Sequence, residues 1–96
     1  MSFVRVLLVS TEAQLRELRE ALSFVDLIML DVLRRRAFIV KEILRLKQQA
    51  GIPVRVAEQE QVVIRRVLSA SDGGYPPDVV EAIYRAMFDS VDRLAE

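Results

Sequence analysis

The amino-acid sequence predicts an all-α protein with three helices per chain, the first of them very long. Residues 11–49 contain neither Gly nor Pro, and their apolar residues recur at alternating steps of three and four, which is typical of one continuous helix. Two shorter apolar stripes follow, separated by segments that contain Gly and Pro. At 1.5 Å per residue the first helix would be about 55 Å long, more than a compact chain of this size spans. We therefore expect it to find a partner outside its own chain.

The N-terminal arm, residues 1–10, is apolar and β-prone. It could form a short strand, or an arm that packs on the bundle or across a dimer. Thr11 with Gln14 has the spacing of a capping box, which predicts that the long helix begins at Thr11. Gly51 and Pro53 predict its end. The chain thus divides into this arm and one helical domain that comprises residues 11–96.

The two shorter helices are marked by their flanking residues. The second is expected to start between Val54 and Ala57 and to end near Leu68, with acidic residues in its first turns that suit the positive end of the helix dipole. A turn containing Gly73 follows. The segment Tyr75-Pro76-Pro77-Asp78 then opens a third helix with Pro in its first turn, and a broad apolar stripe continues to the C-terminus.

One polar residue interrupts the apolar seam of the long helix. The seam comprises Leu15, Leu18, Leu22, Val25, Met29, Val32, Arg36, Ile39, Ile43 and Leu46. A guanidinium among apolar neighbours needs an anion. The anion could be internal, with Glu58 and Glu60 as the candidates, or it could belong to a ligand. Two hypotheses for Arg36 therefore stay open, a structural ion pair and a binding residue.

A second stripe beside the seam is apolar in its middle and cationic at its ends. It comprises Arg19, Ser23, Asp26, Leu30, Leu33, Ala37, Val40, Leu44 and Lys47. These ends could simply be solvated, with their stems lying along the bundle. Arg36 and Lys47 are about 16 Å apart along the helix, so their side chains could converge on one ligand. Arg19 is about 25 Å from Arg36 and could join them only from an antiparallel partner helix. Three cations in an apolar bundle suggest recognition of a small dianion by positioning and electrostatics.

The composition excludes several kinds of chemistry. The chain has no His and no Cys, which removes the commonest general base, thiolate nucleophiles and the commonest zinc ligands. We expect neither a metal nor a cofactor. The formal net charge is zero, which argues against binding to nucleic acid or to a membrane surface. Without Cys, an apolar run long enough to cross a bilayer, or the pattern of a signal peptide, the sequence favours a cytoplasmic protein.

The polar residues of the long helix and of the segment after it resemble the all-helical chorismate mutase family. The matching residues, in one ungapped register, are Leu18-Arg19-Glu20, Asp26, Arg34-Arg35-Arg36, Lys47, Pro53-Val54-Arg55 and Glu60. The resemblance covers all of the chain except the N-terminal arm. It implies an intertwined homodimer of three-helix chains with two equivalent sites. It also implies the rearrangement of chorismate to prephenate, a pericyclic step that needs no base, nucleophile, metal or cofactor.

The resemblance also implies roles for individual residues. Arg19 would reach from the partner chain to one substrate carboxylate, and Arg36 would bind a carboxylate from within the chain. Lys47 would donate a hydrogen bond to the ether oxygen, and Glu60 would accept one from the ring hydroxyl. Gln59 would lie near the ring substituent. Of these substrate-binding residues, Lys47, Arg36 and Glu60 are predicted to be catalytic.

Several positions depart from the family's pattern. Val56 stands where the family usually has an acidic residue, and Gln59 where it usually has Arg. The Ser and Gln of the family's last helix fall, in ungapped register, at Val91 and Ala95, with Ser90 one residue out of step. Loss of one of two donors to the ether oxygen would cost about a hundredfold in rate. A weak activity of the isolated protein is therefore one of the hypotheses.

Three hypotheses for the function remain. In the first, the protein is a chorismate mutase or a relative that acts on isochorismate or 4-amino-4-deoxychorismate. In the second, it is a non-catalytic helical dimer that binds or regulates another enzyme of aromatic biosynthesis. The resemblance also implies that a weak enzyme of this family could need an activating partner enzyme. In the third, it is a structural bundle in which Arg36 is paired internally.

Overall fold

The structure is a computed structural model that describes residues 3–94, with side-chain burial described from Ser10 onward. It has four helices: α1 (Phe3–Ala50), α2 (Ala57–Ala70), α3 (Pro77–Asp89) and α4 (Val91–Leu94). No strand occurs within residues 3–94. The predicted all-α fold class is therefore confirmed.

The N-terminal arm requires a correction. Helix α1 begins at Phe3, so the described part of the arm is helical and the short strand considered for it is wrong. Thr11 lies inside α1 and does not begin it. No Gly or Pro precedes Gly51, and extending an existing helix by one residue costs far less than starting one. This continuity outweighs the weak strand preference of the arm's Val residues.

The end of α1 follows the prediction closely. Gly51 adopts a left-handed backbone conformation with φ of 69°. Its N–H donates to the carbonyl of Gln48 at 3.4 Å, and the N–H of Ile52 donates to the carbonyl of Lys47 at 2.9 Å. This pair of bonds is the Schellman motif, in which glycine ends a helix at little steric cost. Pro53 follows, so the chain leaves α1 at a defined place.

Helix α2 begins at the end of the predicted interval and runs two residues beyond the predicted end. Helix α3 begins at Pro77, inside the predicted segment 75–78, with Pro in its first turn. The third helix is shorter than its apolar stripe indicated, because α3 ends at Asp89 and the four-residue α4 follows Ser90. The Ser90 hydroxyl donates to the carbonyl of Met87 at 2.8 Å, a local bond of the kind that competes with helix continuation.

The chain forms two compact units, residues 1–36 and residues 37–96. In the first unit every residue from 10 to 30 is exposed. In the second unit α2 packs on α3 and α3 on α4. Among the described residues the buried apolar side chains are Leu44 of α1 and Ile64 of α2, so the core of a single chain lies in the second unit.

The two stripes of α1 differ in exposure within the second unit. Leu44 of the second stripe is buried, and Ala37, Val40 and Lys47 are half-buried. The seam faces elsewhere, and its members Ile39, Ile43 and Leu46 are each about half exposed or more. Within the second unit, the second stripe is therefore the more buried of the two. Within residues 3–94, no helix combines the length and apolarity that crossing a membrane would require.

Candidate active site

Lys47 lies in the last turn of α1 and is half-buried. Its ammonium group donates to the backbone carbonyl of Val54 at 3.0 Å. Its own carbonyl accepts the N–H of Ile52. Lys47 therefore holds the loop between α1 and α2, residues 51–56, through both its side chain and its backbone. An ammonium group has three donors, so a bond to Val54 leaves capacity for a ligand.

Glu60 lies in the first turn of α2, and its side chain is only 14% exposed. Arg55, in the loop before α2, binds both of its carboxylate oxygens. The Nε of Arg55 donates to Oε2 at 2.8 Å, and Nη2 donates to Oε1 at 2.9 Å. This two-bond contact between a planar guanidinium and a carboxylate fixes distance and orientation together.

Helix α3 contributes two further charges to this cluster. The Nη1 of Arg55 donates to Oδ1 of Asp89 at 3.0 Å. The Nη1 of Arg85 lies 4.0 Å from Oε1 of Glu60. We call Lys47, Arg55, Glu60, Arg85 and Asp89 the Glu60 cluster. All of its members belong to the second unit, and they come from α1, the loop, α2 and α3.

The charges of the cluster favour an ionised Glu60. The hydrogen bond from Arg55 is the main cause that holds the pKa of Glu60 below its ordinary value, while burial acts in the opposite direction. The charges of Arg55, Arg85 and Lys47 add to the lowering. The bonds to Glu60 and then to Asp89 raise the pKa of Arg55 further above its already high ordinary value. At neutral pH Glu60 is therefore a carboxylate, which can only accept hydrogen bonds.

Gln59 precedes Glu60 on the same turn of α2. Its side chain is exposed, and its backbone N–H donates to the carbonyl of Val56 at 3.1 Å. Val56 is half-buried. The structure thus places Gln59 next to the Glu60 cluster in sequence, but its predicted contact with a substrate stays a prediction.

Arg19 and Arg36 belong to the first unit. Arg19 is exposed and borders a surface depression of about 420 Å³, together with Leu15 and Ser23 among others. Arg36 is half-buried. Its predicted pairing with Glu58 or Glu60 stays a prediction, as does its predicted role in binding a carboxylate.

The two arginines before Arg36 have surface partners. Asp31 forms ion pairs with Arg34 and with Arg35, which lie one turn further along α1. Both guanidinium groups are more than three-quarters exposed. These exposed pairs with Asp31 are typical of a solvated helix face.

An open, mainly apolar depression of about 460 Å³ lies beside Lys47. Its lining residues come from the seam of α1 and the following loop: Ile43, Leu46, Lys47, Gln49, Ala50 and Ile52. Lys47 therefore borders apolar surface, where an electrostatic interaction with a ligand would be strengthened once water is excluded.

Sequence reasoning missed three members of the Glu60 cluster. Arg55 was part of the family resemblance but received no role, and Arg85 and Asp89 were not considered. Arg55 and Glu60 are five residues apart across the start of α2, a separation that no helix rule predicts. The available signal was an Arg in a short loop just before an acidic first turn.

The C-terminal positions give a mixed outcome. Val91 is half-buried in α4, and Ser90 uses its hydroxyl within the chain, on the Met87 carbonyl. Ala95, which the ungapped register placed at the second donor position, lies outside the described residues.

Comparisons with known proteins agree on one family. The sequence model of chorismate mutase type II matches residues 18–96. The chain is 35% identical over 74 residues to the T-protein of Enterobacter agglomerans, covering 76% of this chain and 20% of that protein. It is 28% identical over 81 residues to the bifunctional chorismate mutase/prephenate dehydratase of Aquifex aeolicus, covering 80% of this chain and 22% of that protein. The chain thus spans about a fifth of the length of these relatives. No solved structure gives a significant match.

Proposed function

Because the chain belongs to the chorismate mutase type II family, we propose that it rearranges chorismate to prephenate. The observation that carries this proposal is the Glu60 cluster. It holds a cation, Lys47, and an ionised acceptor, Glu60, close enough for the first to lower the pKa of the second. This is the pair that a substrate with both an ether oxygen and a hydroxyl requires.

The proposed mechanism uses charge and position only. As the C–O bond of the substrate breaks, the ether oxygen gains negative charge. A hydrogen bond from Lys47 to this oxygen is then stronger in the transition state than in the ground state, which is the condition for raising kcat. Glu60 accepts the hydrogen bond of the ring hydroxyl and orients the ring. Arg36 and Arg19 bind the two carboxylates through planar guanidinium groups.

We propose that the active form is an intertwined homodimer. A single chain leaves the seam of α1 uncovered: Leu18 is 67% exposed, Leu22 60% and Met29 54%. Burying one such side chain contributes about 1.5–3 kcal/mol, and an isologous interface buries each of them twice. A second copy of the chain is the proposed cover, and an antiparallel copy would bring Arg19 to the site of its partner.

The experiment offers the purified protein chorismate, isochorismate and 4-amino-4-deoxychorismate separately and identifies each product by mass spectrometry. We expect prephenate from chorismate. Lys47→Ala should lower kcat about 100- to 1000-fold, the cost of removing one well-placed donor. Lys41→Ala is the matched control, because Lys41 is exposed on the same helix and outside the Glu60 cluster. Failure to consume any of the three compounds, or full activity of Lys47→Ala, would refute the proposal.

The second candidate is a relative of the same reaction class on isochorismate or 4-amino-4-deoxychorismate. It is favoured by Val56 and Gln59, which stand beside Glu60 where the ring substituent is expected. The product identified in the same experiment distinguishes the two candidates.

A third proposal concerns partners. One relative is named as both a chorismate mutase and a prephenate dehydratase, so its chorismate mutase activity resides with a second activity. We propose that an enzyme that consumes prephenate binds this chain and activates it. Unchanged kcat/KM after such an enzyme is added would refute it.

A further inference from the structure

The loop between α1 and α2 contacts both catalytic candidates of the second unit. Lys47 donates to the carbonyl of Val54, and the next residue, Arg55, binds both oxygens of Glu60. Two consecutive loop residues thus hold the proposed donor and the proposed acceptor. A shift of this loop would move both groups together.

Exposure within the ion-pair chain falls from the surface inward. Asp89 is 68% exposed, Arg55 42% and Glu60 14%. The carboxylate that is proposed to meet the substrate is therefore the least accessible group of the three. Asp89 of α3 accepts a hydrogen bond from the guanidinium of Arg55. The same guanidinium binds the more buried carboxylate of Glu60 on α2.

The contact from Arg55 leaves Glu60 able to bind a ligand. A carboxylate has about four acceptor positions, and Arg55 uses one on each oxygen. The remaining positions can accept the hydroxyl hydrogen of a substrate. Because Arg55 fixes the plane of the carboxylate, it also fixes the directions of these remaining positions.

We propose that Arg55 is the positioning residue of this active site, and that it acts through Glu60 with Asp89 as its anchor. The inference rests on the proposed function. Arg55 touches no substrate in this scheme. It sets the orientation of the Glu60 carboxylate and keeps this group ionised, so that the ring hydroxyl meets an acceptor.

The test compares Arg55→Met, Arg55→Lys and Asp89→Asn with the control Arg66→Met, which removes an exposed Arg of α2. We expect Arg55→Met to lower kcat/KM about 10- to 100-fold through misorientation of Glu60. Arg55→Lys keeps the charge but loses the planar fork, so its loss should be intermediate. The loss of kcat/KM should be smaller still in Asp89→Asn, and kcat/KM should not change in Arg66→Met.

Two readouts separate positioning from a general effect on folding. In the free protein, NMR titration of the Glu60 side chain should show a higher pKa in Arg55→Met than in the wild type, because the main cause of the lowering is gone. In a Glu60→Gln background, Arg55→Met should cause little further loss of kcat/KM, since both changes disable one contact. Equal losses in both backgrounds, or an unchanged pKa of Glu60, would overturn the proposal.

The outcomes also distinguish this inference from the proposed function. A wild-type protein that consumes none of the three substrates refutes the proposed function and the positioning role together. An active wild type whose Arg55→Met variant keeps its kcat/KM refutes the positioning role alone. If Arg55→Met does not fold, Arg55→Lys tests the positioning role in its place, because this variant preserves the charge in the cluster.

Discussion

The predicted site residues fall into two groups that differ, within a single chain, in their polar contacts and in their exposure. In the second unit, Lys47 and Glu60 have defined polar partners and reduced exposure. In the first unit, Arg19 lies on a stretch in which every residue is exposed. One half of the proposed site is thus built by the chain itself, whereas the surroundings of Arg19 would have to come from elsewhere. In the proposed dimer, folding of one chain would assemble the half of the site that contains Lys47 and Glu60, and association would bring Arg19 to it.

The strongest test of this comparison is subunit complementation. If Arg19 acts in the site of the partner chain, Arg19→Ala and Lys47→Ala should each be nearly inactive alone. A mixed dimer would then contain one intact site, built from Lys47 of one chain and Arg19 of the other. After unfolding and refolding a 1:1 mixture, we expect about a quarter of the wild-type activity, since half of the dimers are mixed and each has one good site of two.

The control for complementation is a 1:1 mixture of Lys47→Ala with Glu60→Gln. Both residues belong to the same unit of one chain, so every site in a mixed dimer would carry one defect. No recovery is expected. Recovery in this control, or its absence in the Arg19→Ala mixture, would contradict sites shared between chains.

A second prediction concerns the exposed seam of the first unit. Leu22→Lys should weaken self-association at least about 100-fold, because two apolar side chains are lost from an isologous interface and two charges are introduced. Analytical ultracentrifugation over a concentration series measures this change. Glu20→Gln alters the charge by the same amount on the same helix and should leave the dimer intact. A chain that is monomeric from the outset would disprove the proposed dimer.

The smallest expected effect concerns the pH dependence of the second unit. The folded-state pKa of Glu60 is lowered, so the stability that its ionisation contributes is present above the ordinary carboxyl pKa and is lost as pH falls through the folded value. Urea unfolding of the wild type should therefore show a decline in stability below about pH 4.5, the ordinary Glu value. Glu60→Gln should flatten that decline.

Glu58→Gln supplies the comparison for this measurement. Glu58 lies in the same first turn of α2 but is exposed. Its substitution should leave the decline below pH 4.5 in place. If both variants behave alike, the Arg55 contact does not distinguish the ionisation of Glu60 from that of an ordinary surface carboxylate.

The fold was largely predictable because its signals are local. Gly51 and Pro77 mark one helix end and one helix start, and both were read correctly from backbone chemistry. The start of α1 was not predicted correctly, because the helix continues through Thr11 to Phe3. A capping pair limits a helix only where the preceding residues cannot continue it, and nothing before Thr11 prevents this.

The site was predictable only in part. Lys47 and Glu60 follow from the family pattern, and the structure brings them into one cluster. The contacts of Arg55 with Glu60 and Asp89 depend on how the loop leaves α1 and on where α3 packs. These contacts depend on tertiary packing, so the spacing of residues along the sequence does not predict them. The break at Ser90 is instead accompanied by a local bond, from the Ser90 hydroxyl to the Met87 carbonyl, which the apolar periodicity does not indicate.

The turn at Gly51 has a consequence for how such a protein could evolve. The carbonyl of Lys47 accepts the backbone N–H of Ile52, and its ammonium group donates to the carbonyl of Val54, so the position of Lys47 relative to the loop depends on a few uncharged turn residues. Under the proposed function, laboratory selection on positions 51–54 could therefore improve catalysis with every charged side chain left unchanged. A residue with a Cβ at position 51 would be strained in that backbone conformation and would be the first to disappear from such a library.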